Sequence, residues 1–241
     1  MALCSNKKVR VIPSPIHLST DIQNDGWVVV VVDILRATTA ICAAFASGCK
    51  EVVPVGNIDA AMSYAKRGYK IVAERGGKIV AGADYGNSPC FFRHKDMRDE
   101  RLAYTTTNGT KAISLSSSLF ERVIIGAFSN FTCLTEELIK ANSDVAILCS
   151  GWQNTVSIED TLFAGAISDA LSQHHFILSN DSAELSVSLW HDKKTHILNT
   201  LKASEHGRRL MNLGFEQDIE FAAQIDTCNC VPQLINHKLV L

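Results

Sequence analysis

Val28 to Val32 is an unbroken β-branched run, the mark of a strand covered on both faces. Behind it Thr39 to Ser47 is rich in alanine and reads as a helix, with Gly48 placed to end it. Glu51 to Val55 predicts a second strand. A helix capped by Asn57 or Asp59 runs through Arg67 to Gly68, and Lys70 to Ala73 predicts a third strand. The order β-α-β-α-β within this span calls for parallel strands joined by right-handed crossovers.

The order then repeats. Strands are expected at Leu102–Thr106, Arg122–Phe128 and Asp144–Leu148, with helices at Lys111–Leu119 and from Asn130 to Lys140. Both units carry polar loops rich in glycine or threonine after their first and third strands. Residues 80–100 read as a loop or small hairpin over the sheet. Beyond Gly151, helices are expected at Ile158–Leu171 and His196–Leu213, the latter ended by Gly214. Glu184–Trp190 is a helix or an edge strand, Ile219–Ile225 is a short element, and Leu234–Leu241 is a closing hairpin. The fold class is α/β: a mostly parallel sheet with helices on both faces. It comprises two related βαβαβ units (27–79 and 101–151) and a helical C-terminal part (152–241) within one domain spanning 1–241.

With 241 residues, 46% of them hydrophobic and 20% charged, the chain can build a sizeable core and has no room for a long disordered tail. Its net charge of −2 provides no basic footprint, so no nucleic-acid partner is expected. Residues 27–46 are long enough to span a bilayer, but Asp33, Arg36, Thr38 and Thr39 interrupt them. Strand, loop and helix is the better reading, and no membrane partner is expected. The eight cysteines are scattered, and the basic residues near the start precede no apolar leader core. A reducing, cytoplasmic location with free thiols follows as the expectation. Cys228-x-Cys230 lacks the second pair a zinc site needs, and Cys4 and Arg10 share a C-x5-R spacing without a glycine loop, read as chance.

In open α/β sheets ligands sit beyond the carboxyl ends of the strands. Here that edge gathers Asp33, Arg36, Thr38, Thr39, Glu74, Arg75, the run Thr105 to Thr110, and Ser150-Gly151. Asp33 follows a buried strand, as a magnesium ligand or nucleophile would; as a structural group it would cap a helix or pair with Arg36. Arg36 can grip a phosphate or sulfonate through two parallel hydrogen bonds. Thr38 and Thr39 can cap the next helix, whose first N–H groups suit an anion. Thr106, Thr107, Asn108, Gly109 and Thr110 hold the matching position in the second unit. Glu159 and Asp160 open a helix, where acids also answer the helix dipole. His206-Gly207-Arg208 offers a general acid followed by an anion clamp. Cys149 reads as a small buried residue more readily than as a thiolate. Phosphate-loop, dinucleotide and serine-elbow motifs are all absent.

The segments VVDILRATT (31–39), AERGG (73–77), DYGNSP (84–89), TTTNGT (105–110) and SEHGRRL (204–210) together resemble the 2-phosphosulfolactate phosphatase family, from about residue 27 to the C-terminus. The resemblance implies a distinct α/β fold and Mg²⁺-dependent hydrolysis of 2-phospho-3-sulfolactate, a small-molecule phosphorylated acid, on a route to coenzyme M or sulfolactate. On that basis Asp33, Arg36 and His206 are the expected catalytic residues, with His206 protonating the leaving alkoxide. Asp33, Glu159 and Asp160 are the expected Mg²⁺ ligands. Thr38, Thr39, Arg75, Thr106, Thr107, Asn108, Gly109, Thr110, Ser150 and Gly151 are the expected substrate contacts, Arg75 holding the carboxylate or sulfonate. A non-catalytic module binding the same acids, and a sugar-phosphate transferase or isomerase, are the alternatives. A homodimer is the assembly left open.

Overall fold

The structure, a computed structural model, describes residues 7–18 and 26–241, so Cys4 and its C-x5-R spacing lie outside it. The chain begins with β1 (Lys8–Ile12), whose alternating Val9 and Val11 are fully buried. It is a strand the sequence reading passed over. β2 (Val28–Val32) is buried at every position and has parallel neighbours on both sides, as its five valines require. α1 (Ala37–Ala46) is buried from Ala37 to Phe45, so its small side chains let neighbours approach from all sides. β3 (Glu51–Pro54), α2 (Ile58–Ser63) and β4 (Lys70–Arg75) complete the first unit, with the Asn57 side chain accepting from Ala60 N to cap α2.

Residues 80–100 hold more than a loop. Gly76 and Gly77, both at positive φ, turn β4 back into β5 (Lys78–Ile79). Ser88 then caps α3 (Pro89–His94), which packs on α1. The second unit follows as expected: β6 (Arg101–Thr105), α4 (Gly109–Leu119), β7 (Arg122–Gly126), α5 (Phe131–Ala141) and β8 (Val145–Cys149).

The C-terminal part opens with α6 (Ile158–Ser172) and β9 (Ile177–Leu178). Glu184–Trp190 lies within α7 (Asp181–Lys193), a helix rather than an edge strand. The single helix expected over 196–213 is two, α8 (Ile197–Ala203) and α9 (Glu205–Asn212). Ser204 divides them: its backbone is extended and its hydroxyl accepts from Gly207 N at 2.9 Å, capping α9. After α10 (Glu216–Ala222) come β10 (Gln233–Ile235) and β11 (Lys238–Val240). Asn236 and His237, both at positive φ, form the two-residue turn between them.

Among the described residues, eleven strands join one sheet in the order β5-β4-β6-β3-β11-β10-β7-β2-β8-β1-β9. The two units occur along the chain, but neither forms its own block. Each surrenders its first strand: β6 lies between β3 and β4, and β2 between β7 and β8. The C-terminal hairpin fills the centre. Interchanging the units maps the order of these eight strands onto itself. Three antiparallel steps separate the two parallel blocks, which therefore run in opposite senses. The crossover helices α1 and α4 both pass from one block to the other.

Helix α6, whose first turn carries Glu159 and Asp160, is fixed by α7. A Cβ at Gly165 would lie 2.0 Å from the Ser186 carbonyl oxygen, a backbone atom with little freedom to move. Gly165→Ala is therefore expected to lower unfolding free energy by about 2–3 kcal/mol, at the upper end of overpacking costs, as read by urea denaturation. An unchanged midpoint would show that the two helices can separate freely.

Candidate active site

The chain leaves β2 at Asp33 through a turn tied to itself. Thr38 Oγ1 donates to the Asp33 carbonyl at 2.9 Å and accepts from Asp33 N at 3.0 Å; Thr39 Oγ1 donates to the Ile34 carbonyl at 2.8 Å. Both threonines are wholly buried. Their hydroxyls shape the loop from beneath, and neither lines the cavity described below. The loop after β6 repeats the device: Thr110 Oγ1 donates to the Thr106 carbonyl at 2.8 Å and accepts from Thr106 N at 3.2 Å.

The two loops meet at Asp33. One carboxylate oxygen accepts from Ala37 N at 3.2 Å, and the Gly109 N–H also hydrogen-bonds the carboxylate. Asp33 thus sits between the N-termini of α1 and α4, where helix dipoles favour a negative charge. Gly109 makes this possible. A Cβ there would lie 2.5 Å from the Ala37 Cβ and 2.8 Å from Asp33 Oδ2.

Burial outweighs these donors and pushes the Asp33 carboxyl up to about 6. Two more buried acids stand behind it. Glu159 is pushed up to about 7, mainly by burial and partly by Asp33. Asp160 is held well above the usual carboxylate range by burial, then by Asp33 and Glu159. Asp160 accepts from Ile34 N at 2.8 Å and Gly151 N at 3.1 Å, so it fastens the Asp33 loop to the Gly151 loop.

Arg36 is buried over the Phe215 ring, 4.1 Å from its centroid. Its guanidinium binds Asp218 at 2.6 Å and Glu74 on the other side. The second oxygens of these acids reach further: Asp218 accepts from Ser88 Oγ at 2.6 Å, and Glu74 from Asn87 N at 3.0 Å. Arg36 thereby joins three of the motif segments. Asp218, the hub on the far side, carried no signal in a sequence reading because it lies in an ordinary acidic first turn.

A half-open cavity with about 500 Å³ free of protein atoms lies against Asp33. Arg36, Glu74, Thr106, Thr107, Asn108 and His206 line it, as expected of strand-end residues and of the 204–210 motif. Arg75 does not; its guanidinium is turned onto the Glu74 and Thr105 carbonyls and Thr105 Oγ1. Ser150 and Gly151 also lie off its wall. Gly151 takes φ +65°, and a Cβ there would fall 2.3 Å from the Thr155 carbonyl. Glu159 opens instead on an adjoining cavity that shares Trp152 and His206 with the first. The expected Mg²⁺ triad is thus split, and among the described residues no three His, Cys, Asp or Glu side chains form a metal-binding group. Cys149 is wholly buried, its thiol pushed far up by burial, Asp160 and Glu159, so it stays protonated.

Asn87, Trp152 and Arg209 complete the wall. Helical spacing could have found Arg209: His206, Arg209 and Leu210 fall on one face of α9. Trp152 stacks on His206 with centroids 4.0 Å apart. Burial, then Arg209 and Arg36, push the His206 imidazole down to about 4, so its ring is neutral near pH 7.

Residues 11–237 match the family model for 2-phosphosulpholactate phosphatase. The chain belongs to that family. A probable 2-phosphosulfolactate phosphatase of Caldanaerobacter subterraneus subsp. tengcongensis is 34% identical over 212 residues, covering 86% of this chain and 88% of the relative. One from Thermotoga maritima is 35% identical, covering 88% of this chain and 91% of its own. The family is one of phosphoric monoester hydrolases, so the chain is an enzyme of that class. Among the described residues no helix is long and apolar enough to cross a membrane.

Two outcomes follow from the surroundings of Asp33. An acid raised on folding binds its proton more tightly in the folded state. Between about pH 4 and 7 these acids hold more protons folded than unfolded, so their contribution to stability falls as pH rises, while His206, pushed down to about 4, contributes the opposite slope and offsets part of it. Asp33→Asn should flatten the acids' slope and stabilise the metal-free protein at pH 8 by on the order of 1–2 kcal/mol, measured by denaturation across pH. A steeper slope would contradict the burial argument. Gly109→Ala should separate the two helix ends, cost about 1–3 kcal/mol of stability and lower turnover about 100-fold, since displacement of about 1 Å is enough for that. Wild-type turnover in that variant would show that the close approach is dispensable.

Proposed function

We propose that the chain hydrolyses 2-phospho-3-sulfolactate to 3-sulfolactate and phosphate, with Mg²⁺ at Asp33. The names of its relatives support the substrate. The carrying observation is the Asp33 carboxylate at the cavity wall, set between two helix N-termini and still raised by burial to about 6.

The charge balance around the cavity favours a metal. Asp33, Glu74 and Asp218 face or back it against Arg36 and Arg209, and the raised acids Glu159 and Asp160 stand ready to ionise beside a cation. An added cation would offset the repulsion that a substrate carrying phosphate, carboxylate and sulfonate meets there. Mg²⁺ needs only one or two carboxylates, taking water and phosphate oxygens for the rest, so Asp33 suffices as its protein anchor. Glu159 stands close enough to influence Asp33 electrostatically, whereas both oxygens of Asp160 already accept backbone N–H groups. Bound there, Mg²⁺ would neutralise charge on the phosphate oxygens as the ester bond breaks.

The protein's own groups do the positioning. The Thr106–Asn108 loop suits phosphate oxygens, while the first N–H groups of α1 and α4 hold Asp33 and their own loops. Arg36, fixed by its two acids and Phe215, presents a guanidinium that cannot swing away. His206 is neutral before substrate arrives. A polyanion beside it opposes Arg36 and Arg209 and raises its proton affinity, which fits a hydrogen-bond donor to the leaving oxygen.

Phosphate release separates hydrolysis from transfer or isomerisation, because only hydrolysis frees inorganic phosphate in water. Activity on 2-phospho-3-sulfolactate should vanish in EDTA and return with Mg²⁺, and Asp33→Asn should lower kcat at least about 100-fold. Full activity in EDTA would remove the metal from this reading.

A further inference from the structure

We infer that Arg209 is the specificity residue of this site, gripping the acidic group of the substrate that lies away from the phosphate. The inference rests on the phosphatase reading above and adds to it the residue that selects an acid-bearing substrate.

Four arginines lie near the cavity, and three have their hydrogen bonds engaged. Arg36 is held by Glu74 and Asp218. Arg75 is turned onto carbonyls and Thr105, off the cavity wall. Arg208 donates to the Ala203 carbonyl and faces the adjoining cavity. Arg209 lines the cavity, half-buried, and among the described residues its side chain makes neither an ion pair nor a hydrogen bond.

What supports Arg209 is a ring. Its guanidinium carbon lies 5.1 Å from the Trp152 centroid, and Trp152 in turn stacks on His206. An aromatic face attracts the cation through the ring quadrupole and takes none of its N–H groups. The arginine is therefore placed without being satisfied. A planar guanidinium with free edges takes two oxygens of a carboxylate or sulfonate in parallel hydrogen bonds, which a lysine cannot reproduce. The reading above puts the phosphate elsewhere, at the cation on Asp33 and the Thr106–Asn108 loop. An anchor for phosphate and a separate cation with open donors match a small molecule acidic at both ends.

The test uses two phosphomonoesters, 2-phospho-3-sulfolactate and glycerol 2-phosphate, which lacks other acidic groups. Arg209→Gln should lower kcat/KM at least about 30-fold on the first, mostly through KM, and less than about 3-fold on the second. Arg209→Lys should recover part of the loss. Titration calorimetry with 3-sulfolactate, the product without phosphate, should show affinity falling at least about 10-fold in Arg209→Gln, while inorganic phosphate binds as before. Equal losses on both esters, or unchanged sulfolactate affinity, would overturn the assignment and leave Arg209 a support for Trp152. If the wild type released phosphate from neither ester, the phosphatase reading would fall, and the calorimetry would still decide whether Arg209 binds the acid.

Discussion

The contact on which the site depends is the abutment of two helix N-termini at Ala37 and Gly109. It leaves no space for a side chain at 109, since a methyl there would overlap both the Ala37 methyl and the Asp33 carboxylate. With hydrogen alone at that position, Asp33 receives N–H donors from both helices at once. Each donor lowers the cost of a buried charge, and together they still fail to offset desolvation. The residual cost is local, and it leaves the carboxylate receptive to a cation.

That abutment joins the loops that leave the two exchanged strands, β2 and β6. In the sheet itself β2 and β6 stand apart, with β3, β11, β10 and β7 between them. Because β2 is placed among β7 and β8, and β6 among β3 and β4, α1 and α4 must both cross the central hairpin. The hairpin is joined to its neighbours by single register pairs, Gln233 with Ile124 and Leu239 with Val52. The last strands of the chain thus close the sheet at its middle, and the first strands of the two units set the chemistry.

Around the cavity, charge is arranged by tethering. Arg36 carries two acids and a ring, Asp160 joins two loops, and Glu74 spans Arg36 and Asn87. Truncating one partner of such a buried set strands the others, so these groups bear on stability as well as on chemistry. Arg209 differs in being held by stacking, which fixes its position and leaves its donors open.

The sequence by itself determined the local elements and the chemical inventory. Five valines can only be an interior strand, an alanine-rich run can only be a helix packed on several sides, and Asp33, Arg36, Thr106 to Asn108 and His206 were legible because they stand at strand ends or in motif segments. It did not determine neighbours in the sheet. Hydrophobic periodicity is a property of a strand's faces and carries no record of which strand lies at its edge, so the exchange of β2 and β6 and the central hairpin appear only in the tertiary structure. The same limit governs the site. Thr38 and Thr39 turned inward onto the loop five residues back, Arg75 turned onto Glu74 and the distant Thr105, and Glu159 opened on the next cavity, directions that hydrophobic periodicity does not encode. Asp218 and Trp152 gained their roles in the same way. The residue types were set by the chain, and their directions were set by partners that only folding brings within reach.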